Sequence, residues 1–103
     1  MLEVVDNAEA SQYEVLLDGE SVGFAAYHHT ADGVLLPHAE VRPEFNSQGI
    51  GSALAKGALD DIRRQGLQAV PLCPFIVYYV KEHPEYDDLV ISLPGAKSRS
   101  TTN

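Results

Sequence analysis

Two glycines one residue apart, Gly49 and Gly51, stand where an extended segment of this 103-residue chain gives way to a helical one. A helix N-terminus offers unpaired backbone N–H groups and roughly half a positive charge. The turn Asn46-Ser47-Gln48-Gly49-Ile50-Gly51 therefore suits a phosphate or pyrophosphate, because glycine removes the side chains that would keep the anion away. The same spacing serves a plain tight turn, and spacing alone leaves both readings standing. The turn lacks the Lys-Ser/Thr ending of a Walker A loop and the full G-x-G-x-x-G dinucleotide fingerprint. Just upstream, His38 and Glu40 lie two residues apart on an extended segment and leave the same face. An imidazole beside a carboxylate can relay a proton; a cross-strand polar pair on a solvated face would look the same. Cys73 directly precedes Pro74 at the start of a second helical stretch. A thiol there gains thiolate character and could act as a nucleophile, or wall a site, or simply fill the core. His28 and His29 adjoin a turn with no third ligand in reach and read as surface residues. No Cys/His cluster has zinc spacing, so no metal is expected.

The elements that must position these groups follow from periodicity. Residues 12–17 alternate through Tyr13, Val15 and Leu17, and Asp18-Gly19 is a hairpin turn. Residues 21–28 form the next strand, with Val22, Phe24 and Ala26 expected on one face, and residues 34–41 the third after a turn at 31–33. Pro43 ends this antiparallel meander. Residues 50–65 have helical spacing at Ile50, Leu54, Ala58 and Ile62, with Arg63 and Arg64 at the negative end and Gly66 as the C′ residue. Gly57 costs such a helix roughly 1 kcal/mol against Ala and permits close packing. Residues 67–73 are an apolar run suited to a buried strand, which completes a right-handed βαβ unit. Pro74 opens a helix over 74–82, His83-Pro84 stops it, and residues 89–93 are expected to form a last strand. The fold class is α+β: a mixed sheet of meander plus central βαβ, with two main helices.

The bulk properties narrow the function. The chain is one domain's length, 1–94, followed by a polar 95–103 tail expected to be disordered. Fifteen acids against seven bases give a formal charge of −8. Nucleic acid and anionic membrane surfaces are poor partners for such a chain, and a cationic substrate is a better one. A single cysteine excludes an internal disulfide. With no basic n-region or long apolar run, the expected location is cytoplasmic.

The segment from Leu36 to Leu54, LPHAEVRPEFNSQGIGSAL, resembles the cofactor-binding motif of the GNAT superfamily of N-acetyltransferases. That motif is a strand ending in V-x-P-E, here Val41-Arg42-Pro43-Glu44, followed by Q/R-x-x-G-x-G/A at a helix start, here Gln48-Gly49-Ile50-Gly51-Ser52. The short length and the later PLCPF-x(4)-V-K-E-H-P-E-Y stretch look like a minimal, single-domain GNAT-like subgroup. The chain departs from the family at Asn46, where Gln or Arg is usual, and at Ser47, where Gly is common. The resemblance implies acetyl-CoA as cofactor and an amine as acceptor. It implies that the backbone of Asn46, Ser47, Gln48, Gly49, Ile50, Gly51 and Ser52 holds the pyrophosphate. The strand edge at Val41 and Arg42 would then meet the pantetheine arm where two parallel strands splay apart. Lys56 would meet a phosphate, or be merely solvated. Glu40, with His38, would be the base, and Tyr79 (or its neighbour Tyr78) the acid, unless these tyrosines only pack the helix. The acceptor site is left open, and a second subunit is one way to build it, so monomer and homodimer both fit. A module that binds CoA without transfer is the alternative.

Overall fold

The computed structural model describes residues 1–45 and 49–91. It forms a five-stranded sheet in the order β1-β2-β3-β4-β5. The strands are β1 Leu2–Asn7, β2 Gln12–Leu17, β3 Glu20–His29, β4 Val34–Val41 and β5 Ala69–Pro71. Helix α1 spans Ile50–Arg64 and α2 spans Pro74–Glu82, with short 3-10 turns at Pro43–Phe45 and Pro84–Tyr86. The first four strands pair antiparallel and β5 joins β4 in parallel. This is the meander-plus-βαβ arrangement expected, with one addition. The edge strand β1 pairs all along β2, from Leu2 opposite Leu17 to Asn7 opposite Gln12. Its acids and adjacent valines do not alternate, so periodicity had no hold on it.

Asp18 and Gly19 both take positive φ, 51° and 90°, the conformation a two-residue hairpin demands. Across this hairpin the register skips Val22, so β3 carries a bulge there. That extra residue corrects the expected face. Val22 remains buried, but beyond it Ala25 and Tyr27 point into the core, while Phe24 and Ala26 turn to the other side.

Helix α1 lies on the inner face of the sheet and buries Ile50, Leu54, Ala55, Ala58, Leu59 and Ile62. Gly57 gives it the close approach expected: a Cβ there would stand 2.6 Å from Val4 Cβ. The helix ends one residue earlier than predicted, at Arg64, in a Schellman motif. Gly66, at φ 75°, donates to Arg63 and Leu67 donates to Ile62. Three tyrosines pin the layers through carboxylates. Tyr13 donates to Asp61 and Tyr86 to Asp60, both on α1, and Tyr27 donates to Asp6 on β1. Burial, then the Asp6 hydrogen bond, pushes the Tyr27 phenol up to about 12. The Tyr13 and Tyr86 phenols rise further for the same reasons.

The predicted strand over 67–73 shrinks to Ala69–Pro71. The reason is local: Leu72 and Cys73 both donate to the one carbonyl of Leu36, so the chain turns away from β4 there. Of the last strand expected at 89–93, the described part reduces to one parallel bridge, Val90 with Ala69. Residues 92–93 and the tail 95–103 lie outside the described residues.

Candidate functional site

Strands β4 and β5 pair only through Val34–Ala69, Leu35–Val70 and Leu36–Pro71. Two causes end the pairing. The chain turns away after Pro71, and β4 carries a bulge between Leu35 and His38, where Pro37 has no N–H to donate. The remainder of β4 diverges from its parallel neighbour, and a cleft of about 330 Å³ opens, lined by Ala39, Glu40, Val41, Gly51, Leu54 and Phe75. It runs from the outer half of β4 to the N-terminus of α1.

Backbone alternation decides which groups face this cleft. The Arg42 amide donates to Val22 on β3. Glu40, two residues earlier, has the same orientation, so the peptide groups of Val41 and Ala39 point away from β3, into the cleft. Val41 and Ala39, rather than Val41 and Arg42, are thus the strand-edge residues whose peptide groups turn from β3. The Arg42 side chain is occupied as well. It bridges Glu20 and Glu44 at 2.8 Å each and lies 5.4 Å from the Phe45 ring centroid. Hydrogen bonds to those two carboxylates raise its pKa.

At the other end of the cleft, Gly49 is the N-cap of α1 at φ 73°, left-handed backbone that only glycine adopts without strain. Among the described residues no side chain caps the helix, and no acid stands in its first turn. Ala53 is bonded to Gly49, and the N–H groups of Ile50, Gly51 and Ser52, which precede it in the first turn, find no partner among the described residues. Gly49 faces open space, as a cradle requires. Gly51 does not: a Cβ there would meet Phe75 Cζ at 2.8 Å. Its missing side chain admits the Phe75 ring, a different reason from the phosphate approach first read into it. Asn46, Ser47 and Gln48 lie outside the described residues.

His38 Nε2 and Glu40 Oε2 are 2.8 Å apart, and both side chains are more than half exposed. The predicted pair therefore exists, at the cleft's rim. Tyr79 lies elsewhere. It follows Phe75 by four residues, about 6 Å along α2, and stacks on His83 at 3.9 Å between ring centroids. Burial, the largest effect, raises its pKa although Lys56 pulls the other way. Tyr79 is not a lining residue, and Tyr78 is exposed on the outer side of α2. Cys73 is buried in the core as the N-cap of α2, again away from the lining. Lys56 bonds Asp60 one turn along α1, at 2.7 Å, rather than the cradle. His83 caps α2 as expected, its Nδ1 2.7 Å from the Tyr79 carbonyl oxygen. His28 and His29 are exposed. Among the described residues no group of three or more His, Cys, Asp or Glu is placed to hold a metal. Sequence reasoning missed Ala39 and Phe75. The two-residue spacing from Val41 pointed to the first, and an aromatic following Pro74 at a helix start was the only hint of the second.

The GCN5-related N-acetyltransferase family model matches residues 12–89. The chain belongs to this family. Within it, Protein NATD1 of Gallus gallus and of Mus musculus are each 32% identical over 85 residues, covering 81% of this chain and 77% of theirs. The Homo sapiens NATD1 is 43% identical over a shorter 49 residues, 48% of this chain and 43% of its own. The acetyltransferase fold is shared with a GCN5-like protein of Staphylococcus aureus, at a TM-score of 0.67 and 18% identity over 96% of this chain and 97% of that one. It is shared in part with the ribosomal-protein-S18-alanine N-acetyltransferase of Escherichia coli, at a TM-score of 0.52 and 24% identity over 55% of this chain and 37% of that one. The chain is thus a small single-domain GNAT-like protein.

Proposed function

We propose that this chain is an acetyl-CoA-dependent N-acetyltransferase that acts on a small amine. The observation that carries the reading is the cleft that runs from the strand edge at Ala39 and Val41 to the N-terminus of α1 at Gly49 and Gly51. A pyrophosphate fits the amides of Ile50, Gly51 and Ser52, with Gly49 keeping the approach open. Ala39 and Val41 offer strand-type hydrogen bonds to the amide groups of a pantetheine arm. Acetyl-CoA, when bound, supplies an acyl group on a good thiol leaving group. Glu40 Oε2, at the rim, takes the proton that an incoming ammonium must lose before its nitrogen can attack, and His38 passes it to solvent. Phe75 and Leu54 make the inner wall apolar, which strengthens the electrostatic contacts made there.

The alternative, a module that holds CoA without transfer, is favoured by one observation: neither Tyr79 nor Cys73, the candidate acid and nucleophile, lines the cleft. Amine-dependent release of free thiol from acetyl-CoA separates the two readings. Under the enzymatic reading, Glu40→Gln lowers kcat by about a hundredfold and leaves the affinity for acetyl-CoA within about twofold. Absence of thiol release with any amine, alongside tight cofactor binding, would leave the module.

A further inference from the structure

The cleft has a neighbour. On the outer face of the sheet a groove of about 220 Å³ is lined by residues from Gln12 through Phe24 to Glu40, Val41 and Arg42. Glu40 and Val41 line both cavities, so the two meet at the candidate base. The groove exists because the Val22 bulge turns Phe24 outward, to lie half-buried on this face between Glu14 on β2 and Glu40 on β4. Two strand spacings set those acids about 10 Å apart at their Cα atoms.

The chemistry of the groove is that of a cation with an apolar middle. Glu40 stands at one end with His38, whose ring centroid is 5.8 Å from that of Phe24. Beyond the lining on the other side, Glu14 sits cross-strand from Phe24 and takes a hydrogen bond from the lining residue Gln12. Asn7 and Gln12 donate to the Glu14 carboxylate at 2.9 and 2.7 Å, both to Oε2. These bonds hold its pKa below the usual carboxylate range, so it stays charged, with Oε1 turned to no protein donor among the described residues. The guanidinium at the groove's edge, Arg42, is already shared between Glu20 and Glu44 and adds no repulsion of its own. A volume below the ~300 Å³ of the smallest common ligand sites suits a compact molecule.

We propose that this groove is the acceptor site, and that it selects a short aliphatic diamine. One ammonium lies at Glu40, where the acetyl group would be delivered, the methylene chain lies on Phe24, and the second ammonium pairs with Glu14. The inference rests on the acetyltransferase reading for the delivery of the acetyl group but not for the binding itself.

The experiment is a titration of the isotopically labelled protein with 1,5-diaminopentane, pentylamine and 1-pentanol, followed by amide chemical shifts. The diamine is expected to move the amides of Gln12, Phe24 and Glu40, pentylamine to move them more weakly, and the alcohol to leave them in place. Glu14→Gln keeps the size of the side chain and is expected to weaken the diamine by at least ~fivefold while leaving pentylamine unchanged. Phe24→Arg abolishes the response to both amines. Shifts elsewhere, no shifts, or equal weakening of both amines by Glu14→Gln would overturn the proposal. A diamine response at these residues in a protein that binds no acetyl-CoA would instead keep the groove and sink the enzymatic reading.

Discussion

Among the candidate catalytic residues Glu40 alone lines the cleft, which is why the proposed chemistry is assigned to it. The others have structural duties. Tyr79 is buried and stacks on His83 at the end of α2, and Cys73 fills the start of α2. Cys73→Ala and Tyr79→Phe are therefore expected to keep turnover within about threefold of the parent. Cys73→Ala is expected to lower stability by about 1 kcal/mol through the small void it leaves. A loss of turnover in Cys73→Ala as large as that in Glu40→Gln would restore the acetyl-cysteine scheme. Glu40 and His38 were legible from a two-residue spacing, since strand geometry puts them on one face whatever the fold. The position of Tyr79 away from the lining was not legible, because a helical tyrosine says nothing about where its hydroxyl points until its neighbours are in place.

At the level of elements, the sequence announced what local periodicity controls. The α1 stripe, its Schellman stop at Gly66 and the Asp18-Gly19 hairpin all rest on interactions within a few residues. The misread parts depend on non-local pairing. The Val22 bulge reverses the faces of β3, β1 is held by its partner, and β5 ends where Leu72 and Cys73 crowd the Leu36 carbonyl. Gly57 tests the packing of α1 on β1. Alanine gains the helix about 1 kcal/mol, but its Cβ would meet Val4 at 2.6 Å, and overpacking costs about 1–3 kcal/mol. Overpacking wins, so Gly57→Ala is expected to lower Tm by about 4–8 °C. The tie between α1 and β2 is electrostatic. Burial works against ionisation of Asp61, yet hydrogen bonds from Tyr13, Arg64 and Gln65 outweigh it and hold its pKa below the ordinary 3.8. A depressed carboxylate contributes stability in full above the unfolded value of 3.8 and loses it as pH falls through the folded value. Urea unfolding should therefore show the parent weakening below about pH 4, while Asp61→Asn is weaker at neutral pH and falls less steeply in acid.

The whole molecule places a splay of parallel strands, the N-terminus of α1 and an open sheet face side by side. The family and the fold were readable from about twenty residues around the turn, because a strand edge and a helix N-terminus must adjoin in sequence to act together. The outer groove was not readable, since it brings Gln12, Phe24 and Glu40 together from three strands through a register that the bulge sets. The net charge of −8 belongs to this scale too. It favours cationic partners over anionic ones at long range.

Calorimetric titration of acetyl-CoA into the parent and into Ser52→Glu is the most direct test. Ser52 is exposed in the first turn of α1, where a carboxylate stabilises a helix but repels a pyrophosphate. The expected result is binding near micromolar strength in the parent, weakened at least ~tenfold in the variant, with Tm unchanged or raised. No binding in the parent, or equal binding in both proteins, would contradict a cofactor held at the N-terminus of α1.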